Sequence, residues 1–427
     1  MALDVLMAGT GEYTTGWVGE KSKSDKKKGV VALTLFDLRR QGLVEKLLMA
    51  GTNGTKFPAI RKHLDEQIAK VYKGLDTSFA SFPPDKLYSD PKAYLRAMDS
   101  MQKGDAVIIF TPDDTHYEIA KAAVEKGMHV LLTKPPVKTL KQHLELSELA
   151  KKHEVLVDIE VHKRFDPLYR NAREEIRKQP FFSEFYSLMT QPRFQLETFR
   201  SWAGKSSDIS YYLNSHHIDY HVWSMEGIAR PTKVTASASK GIALGMGINT
   251  EDTITLVVEW AHHSDHKKVG VAKYVAGWAD PTSDVHTQQG FECMTYDNTG
   301  NVKKIKIDQA HRGYTIYHEG KQVESRNPLY MDYNPDENGF FAGQNGYGYV
   351  SIAKFIEAVT KINNKEKTPA YFDKMLPTIA RTPQLTAVLQ AGRMSLDNRA
   401  PVEIRYDSTD MALPIGFREY KLELVEK

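Results

Sequence analysis

The segment VLLTKPPVKTL (130–140) wedges one lysine between an apolar run and two prolines. An ammonium held at the end of a buried strand, with Pro135 fixing the backbone behind it, has a definite chemistry open to it. It can give a proton to an oxygen on which negative charge is growing. Burial would bring its pKa down toward neutrality and ready it for that transfer. Taken alone, Lys134 also reads as a solvated loop residue, as most lysines are. Histidines offer a second chemistry. His217 and His221 are four apart in a helical pattern, and His262, His263 and His266 cluster in a turn. Such pairs can hold zinc. There is no HExxH and no cysteine nearby, so no required metal is expected. GxSxG and CxxC motifs are absent, which leaves a serine elbow and dithiol redox chemistry without support.

A third group lies at the N-terminus, in VLMAGTGEYTTGW. Gly9 and Gly11 directly follow a strand-like run, and glycine there lets the backbone turn tightly against a pyrophosphate. The third glycine of GxGxxG would fall at position 14, which is Thr14, with Gly16 two further on. Asp37 is read as the end of a second strand, where a carboxylate would bond the adenosine ribose hydroxyls. It lies 28 residues after Gly9, beyond the usual spacing of about 20. Arg39 and Arg40 follow and would instead suit a 2′-phosphate. NADH and NADPH therefore both stay open.

These residues need a scaffold. A chain of 427 residues is too long for one core and implies two domains. The first part alternates strands with helices. Strands are expected at Leu3 to Gly9, Val30 to Asp37, Asp105 to Pro112, His129 to Pro136 and Val155 to His162. Helices are expected at Val44 to Ala50, Pro58 to Tyr72, His116 to Lys126 and Leu140 to His153. Continuous apolar strands between helices mean a parallel sheet covered on both faces. After residue 162 the texture changes to long alternating segments: TKVTASAS, DTITLVVEWA, KVGVAKYVAGW, GFECMTYD and VKKIKID. These predict an antiparallel sheet in an α+β domain, with helices returning at Tyr349 to Lys361 and Leu376 to Ala391. The expected domains are 1–162, dinucleotide-binding and Rossmann-type, and 163–427, for substrate and oligomerisation. The loop NPDENGFFAGQNGYGYV, Asn334 to Val350, either lines a pocket or is an irregular surface connection.

Composition is that of an ordinary globular protein, with 41% hydrophobic and 26% charged residues and a net charge of +3. Nothing there calls for nucleic acid. KSKSDKKK, Lys21 to Lys28, reads as a solvated turn or a phosphate patch. The lone Cys293 excludes an internal disulfide and fits a reducing compartment. No apolar run is long enough to span a membrane. The N-terminus lacks a basic leader, so a cytoplasmic location is expected.

The segment from Gly104 to Pro136 is more specific. It has a strand ending in Thr111–Pro112, His116 four residues on, a helix, then Gly127-x-His129-Val130 and a strand ending in Lys134–Pro135. This resembles the signature of the Gfo/Idh/MocA oxidoreductase family, with Thr133 where a glutamate is usual. HKRFDP (162–167) is similar to the family's Arg-Phe-x-Pro element, and NSHHIDYHVW to its His-x-x-Asp helix. By motif the resemblance runs from Leu3 to Trp223.

The resemblance implies a nicotinamide-binding Rossmann domain and an open-sheet C-terminal domain, with the active site between them. Cofactor contacts are then expected from Gly9, Gly11, Glu12, Tyr13, Asp37, Arg39, Thr111, Pro112, His116, Lys134 and His162. Lys134 becomes the expected proton donor. The family pattern places an acid four residues before the helix histidine; here Tyr212 stands there, before His216. Spacing of four puts the two on one helical face, and a tyrosine hydroxyl can also carry a proton. The expected catalytic set is Lys134, Tyr212 and His216.

The family mostly handles sugars, polyols and their acids. Lys163, Arg164, Arg193, Arg200 and Lys205 would suit an anionic sugar. Substrate contacts are expected from Lys134, Tyr212, Asn214, His216 and His217, with Arg164 and Lys205 on a carboxylate. The expected reaction is reduction of a hexuronate aldehyde such as D-galacturonate to the aldonate, as in fungal-type uronate reductases. The alternatives are a neutral sugar or polyol dehydrogenase and a non-catalytic, dinucleotide-binding regulator of sugar metabolism. No membrane partner is expected. Trp260, Tyr274 and Trp278, read as outward-facing on the alternating strands, predict a homodimer or larger, because an open sheet must hide its second face.

Overall fold

The computed structural model describes residues 3–19, 28–283, 285–308, 313–317, 319 and 323–420. In chain order its elements begin with β1 (Leu3–Ala8), α1 (Glu12–Thr15), α2 (Val31–Arg40), β2 (Val44–Ala50), α3 (Phe57–Leu64), β3 (Ala80–Phe82) and α4 (Ala93–Asp99). Next come β4 (Ala106–Ile109), α5 (His116–Glu125), β5 (His129–Thr133), α6 (Leu140–Lys152), β6 (Val157–Glu160) and α7 (Pro167–Arg177). Then follow β7 (Phe181–Pro192), α8 (Phe194–Phe199), α9 (Ser215–Ser224), β8 (Ala229–Ser239), α10 (Ile242–Gly245), β9 (Thr253–His262), β10 (Val269–Asp280), β11 (Gln288–Tyr296) and β12 (Val302–Asp308). The last are β13 (Tyr314–Ile316), β14 (Glu324–Arg326), α11 (Tyr347–Asn363), α12 (Pro369–Phe372), α13 (Pro383–Asn398), β15 (Val402–Tyr406) and β16 (Pro414–Glu419). No helix among the described residues is long and apolar enough to cross a membrane.

The chain divides into two compact units. The first comprises residues 1–136, 144–165 and 327–381; the second comprises 137–143, 166–326 and 382–427. This differs from a single boundary at residue 162, because a late segment returns to the N-terminal unit. Met331, Phe341, Tyr349, Ile352, Phe355, Ile356 and Val359 enter the same core as Val31, Leu35 and Phe36. The Gly- and aromatic-rich loop is therefore part of the first unit's packing.

The first unit holds a parallel six-stranded sheet, ordered β3-β2-β1-β4-β5-β6. That is the doubly wound order of a dinucleotide-binding fold. Two elements exchange types relative to expectation. VVALTLFD is helix α2 rather than a strand, and Val44–Ala50 is strand β2 rather than a helix. A short, largely apolar run carries no usable period. Val30 to Leu38 are buried almost throughout, since α2 is enclosed by the unit's core. In β2, Glu45 and Lys46 are exposed near the strand start and hide its apolar character.

The swap has a visible cause. One turn of α1 ends at Gly16, in the left-handed region, and the chain returns beside it at Gly29, where Val30 N donates to Tyr13 O at 2.8 Å. Residues 20–27, between them, lie outside the described residues. Gly29 has φ +65°, and a Cβ there would lie 2.6 Å from Thr14 O, so the junction needs glycine. Most of the lysine-rich run, Lys21 to Lys28, lies outside the described residues. Lys28 is described, and its Nζ bonds Tyr72 Oη at 2.9 Å and Tyr333 O at 3.0 Å.

The second unit holds an eight-stranded sheet, ordered β12-β11-β7-β10-β9-β8-β15-β16. All its neighbours are antiparallel except the parallel pair β7 and β10. β7 was not anticipated, yet it is a central strand. Helices α7, α9 and α13 pack with this unit's elements. Trp260, Tyr274 and Trp278 are fully buried, which corrects their outward placement. Alternation fixes that neighbours point to opposite faces, not which face is covered. The exposed positions on β9 and β10 are Val257, Val269, Val271 and Lys273.

Candidate active site

In the first unit, the ends of β1, β2 and β4 converge on the glycine turn. Gly9 N donates to Ala50 O at 2.9 Å. Gly9 has φ +112°, and a Cβ would sit 2.0 Å from Phe110 O. Gly11 opens α1, with Thr15 N donating to its carbonyl at 2.9 Å. A Cβ at Gly11 would meet nothing within 4 Å, so the turn leaves room on its outer side. Close backbone packing below and open space above suit a bound pyrophosphate. Glu12 and Tyr13 lie in that first helical turn.

Tyr13 leads to an aromatic group that the sequence did not reveal. Its ring stacks on Phe110 at 4.7 Å, and its hydroxyl meets Tyr330 Oη at 2.5 Å. Tyr330 packs against His162 at 5.5 Å, and His162 stacks on Tyr347 at 5.6 Å. Glu160 lies 3.4 Å from His162 Nδ1 and accepts from Ser351 Oγ at 3.0 Å. Burial, with Glu160 adding to it, raises the Tyr13 pKa well above that of a free phenol. Both hydroxyls therefore stay protonated. Tyr330 and Tyr347 come from a segment almost two hundred residues beyond β6, with only the density of glycine and aromatics as a signal.

Asp37 is not at the ribose position. It sits inside α2, fully buried. Its Oδ1 accepts from Arg40 Nε at 3.0 Å and Nη2 at 2.7 Å. Its Oδ2 accepts from Gln41 at 2.7 Å, Tyr349 Oη at 2.8 Å and Gln344 at 3.2 Å. Arg39 bonds Ser78 O at 3.0 Å and pairs with Asp76, so it too is committed to the fold. Both cofactor assignments are corrected, and for one reason: they assumed that Val30–Asp37 is a strand.

At the far side of β4, Thr111 Oγ1 lies 2.7 Å from Thr115 Oγ1, and Pro112 precedes a turn into α5. His116 is fully buried between two main-chain carbonyls: Nδ1 is 2.9 Å from Pro135 O and Nε2 is 2.9 Å from Thr111 O. It ties the end of β4 to the turn after β5. Both nitrogens lie against carbonyl oxygens and the neutral ring donates its one N–H to either of them, so His116 acts as a brace rather than as a cofactor ligand. Lys134 heads that turn, half-buried between buried Leu132 and Pro135, unlike a solvated loop lysine. His129, the motif's other histidine, is structural: its Nδ1 accepts from Leu156 N at 2.9 Å, and burial lowers its pKa to about 4. Arg164 and Lys163 are buried near the end of β6. Asp158 there is pushed up to about 8 by burial, with the Arg164 charge opposing the rise.

The other expected residues lie in the second unit. Ser210–Asn214 forms a π-helical turn leading into α9. Asp208 anchors it, accepting from Ser210 N at 2.9 Å and Tyr211 N at 3.0 Å. Arg393 in turn holds Asp208 at 3.3 Å and Glu251 at 3.1 Å. Tyr212 is half-buried, its ring edge-on to Phe199 at 5.1 Å and Trp202 at 5.4 Å. His216 is 5% exposed.

Asn214 and His217 face the core instead. Asn214 Nδ2 bonds Ser210 Oγ at 3.0 Å and Ile254 O at 3.4 Å. His217 Nε2 meets Tyr169 Oη at 2.9 Å beside Phe291. Their assignment as substrate ligands is not supported by these contacts. His221, once paired with His217 as a metal alternative, bonds Tyr274 Oη at 2.7 Å and is held neutral by burial. Among the described residues no group of three or more His, Cys, Asp or Glu could hold a metal ion. Of the basic residues, Arg200 is clamped by Glu197 at 2.8 Å, whereas Arg193 and Lys205 are exposed.

Residues 47–161 match the model of the Gfo/Idh/MocA oxidoreductase family, described as having an NAD-binding Rossmann fold. The chain is 30% identical over 176 residues to an uncharacterized oxidoreductase, YdgJ, of Escherichia coli strain K12, covering 40% of this chain and 46% of that protein. It is 28% identical over 131 residues to the scyllo-inositol 2-dehydrogenase (NAD(+)) of Bacillus subtilis strain 168, covering 31% and 35%. The chain thus matches less than half the length of these curated relatives. The crystal structure of scyllo-inositol dehydrogenase from Lactobacillus casei, with NAD(H) and scyllo-inositol bound, superimposes with a TM-score of 0.62 at 14% identity. That likeness covers 94% of this chain and 99% of the other, and it shows a shared fold.

Proposed function

We propose that this protein, whose first unit carries the Gfo/Idh/MocA Rossmann sheet, is a nicotinamide-dependent oxidoreductase acting on a CH–OH carbon, or its carbonyl, of a sugar or polyol. The observation that carries the reading is the fixing of Lys134 at the carboxyl edge of the sheet by buried His116. Ligands bind along that edge in such folds. The glycine turn accommodates the dinucleotide, which when bound supplies or accepts a hydride. Lys134 holds the proton. In reduction, charge grows on the substrate oxygen, and a fixed ammonium favours that state over the ground state. In oxidation the same group takes up the hydroxyl proton. Tyr212 and His216 are the remaining proton-carrying candidates.

The inositol dehydrogenases among the relatives support a polyol or sugar substrate. Reduction of a hexuronate such as D-galacturonate is the finer reading. It draws on exposed Arg193 and Lys205, which make no ion pair among the described residues and suit a carboxylate. Inositols, aldoses, polyols and uronates, each followed at the nicotinamide absorbance, distinguish the two. On the true substrate Lys134→Met should lose at least about a hundredfold in turnover while still binding cofactor. Unchanged turnover would refute the role of Lys134. If Tyr212→Phe turns over like the parent while His216→Ala is inactive, the histidine is the second proton carrier.

A further inference from the structure

We propose that the loop following β2, Gly51 to Lys56, is a subsite for the 2′-phosphate of NADPH and makes the protein prefer NADPH to NADH. This rests on the dinucleotide-binding reading above. With Asp37 and Arg39 committed to the fold, the ribose-facing position passes to the true end of the second strand. Ala50 O accepts Gly9 N at 2.9 Å, so the loop begins beside the glycine turn. A Cβ at Gly51 would lie 2.8 Å from Thr10 Cγ2, inside the GxG segment itself. In doubly wound folds the residue here decides between the cofactors. An acid accepts from the ribose 2′-hydroxyl and repels a 2′-phosphate.

The loop has no acid. From Gly51 to His63 the sequence is GTNGTKFPAIRKH. Its polar groups are arranged as donors. Asn53 Oδ1 is taken up by Thr55 N at 2.9 Å and Thr55 Oγ1 at 2.7 Å, so the amide acceptor is spent and Nδ2 remains as a donor. The Thr52 carbonyl is occupied by Asp90 N at 2.8 Å. Lys56 is exposed and makes no ion pair among the described residues. The neighbouring acids do not cancel its charge: Asp85 pairs with Arg61 at 2.6 Å, and Asp90 pairs with Arg96. A phosphate offers only acceptors and matches this set. A ribose diol must also place its hydroxyl protons, and the usual carboxylate is missing.

The test is calorimetric titration of the full chain with NADPH and NADH, and with adenosine 2′,5′-bisphosphate against 5′-AMP. NADPH and the bisphosphate should each bind at least about tenfold more tightly than their counterparts, the scale of one charge-assisted contact. Lys56→Gln and Thr52→Asp should each collapse that ratio, with melting temperatures near the parent's. NADH binding as tightly as NADPH would overturn the proposal, and so would variants that weaken both cofactors alike. If neither dinucleotide binds, the dinucleotide reading itself falls.

Discussion

Asp37→Ala separates a structural from a cofactor role for this residue. The substitution removes both carboxylate oxygens from a site with no exposure. Five donors lose an acceptor: two from Arg40 and one each from Gln41, Gln344 and Tyr349. Some recover. The Arg40 side chain is 31% exposed and can turn to water. Gln344 keeps Phe341 O, and Gln41 keeps Tyr349 Oη. Breaking a buried pair costs about 3–5 kcal/mol, and partial exposure of Arg40 places this case near the lower end, about 3 kcal/mol. For a unit of this size that corresponds to a fall in melting temperature of roughly 6–12 °C. The local effect is read by hydrogen exchange of the α2 amides and by thermal melting, with cofactor affinity measured in parallel. Lower protection with an unchanged NADPH-to-NADH ratio is expected. A variant of parental stability whose cofactor ratio changes would refute the argument and return Asp37 to the ribose.

Three further outcomes follow from particular contacts. His116→Ala removes the one N–H of the neutral ring and leaves a main-chain carbonyl, Thr111 O or Pro135 O, without its donor, which should cost about 1–3 kcal/mol; turnover should fall more than cofactor affinity, because the Lys134 turn loosens, and an equal loss in both would argue against the brace. His129 has a folded pKa of about 4, below its unfolded value of about 6.5. Its contribution is therefore full above pH 6.5 and is lost as pH falls through that window, by on the order of 3 kcal/mol; His129→Gln should flatten this part of the stability–pH curve, and an unchanged slope would sink the assignment. The exposed valines Val257 and Val271 on the sheet of the second unit should make Val257→Glu weaken self-association in sedimentation; a strictly monomeric parent at micromolar concentration would remove the expected oligomer.

Much of the scaffold could be read directly. Strands β4, β5 and β6 are continuous apolar runs followed by turn residues, and burial on both faces produces that pattern whatever the rest of the chain does. Strands β8 to β12 alternate because one face is covered. The placement of Lys134 at the end of a buried strand was legible because its signal is local: an apolar run, a lysine and two prolines.

What failed was every decision that depended on a distant partner. Val30–Asp37 lies in a helical segment that a late segment, Tyr347–Asn363, encloses. Asp37 owes its partners to Gln344 and Tyr349, some three hundred residues away. Tyr13 meets Phe110 and Tyr330, and His116 spans two strand ends. The sequence alone determined which segments are apolar and with what period, because hydrophobic burial acts on each side chain by its own surface. Only the tertiary structure decided which polar atom faces which, because a hydrogen bond needs two groups within about 3 Å, and chain order does not say which groups those are.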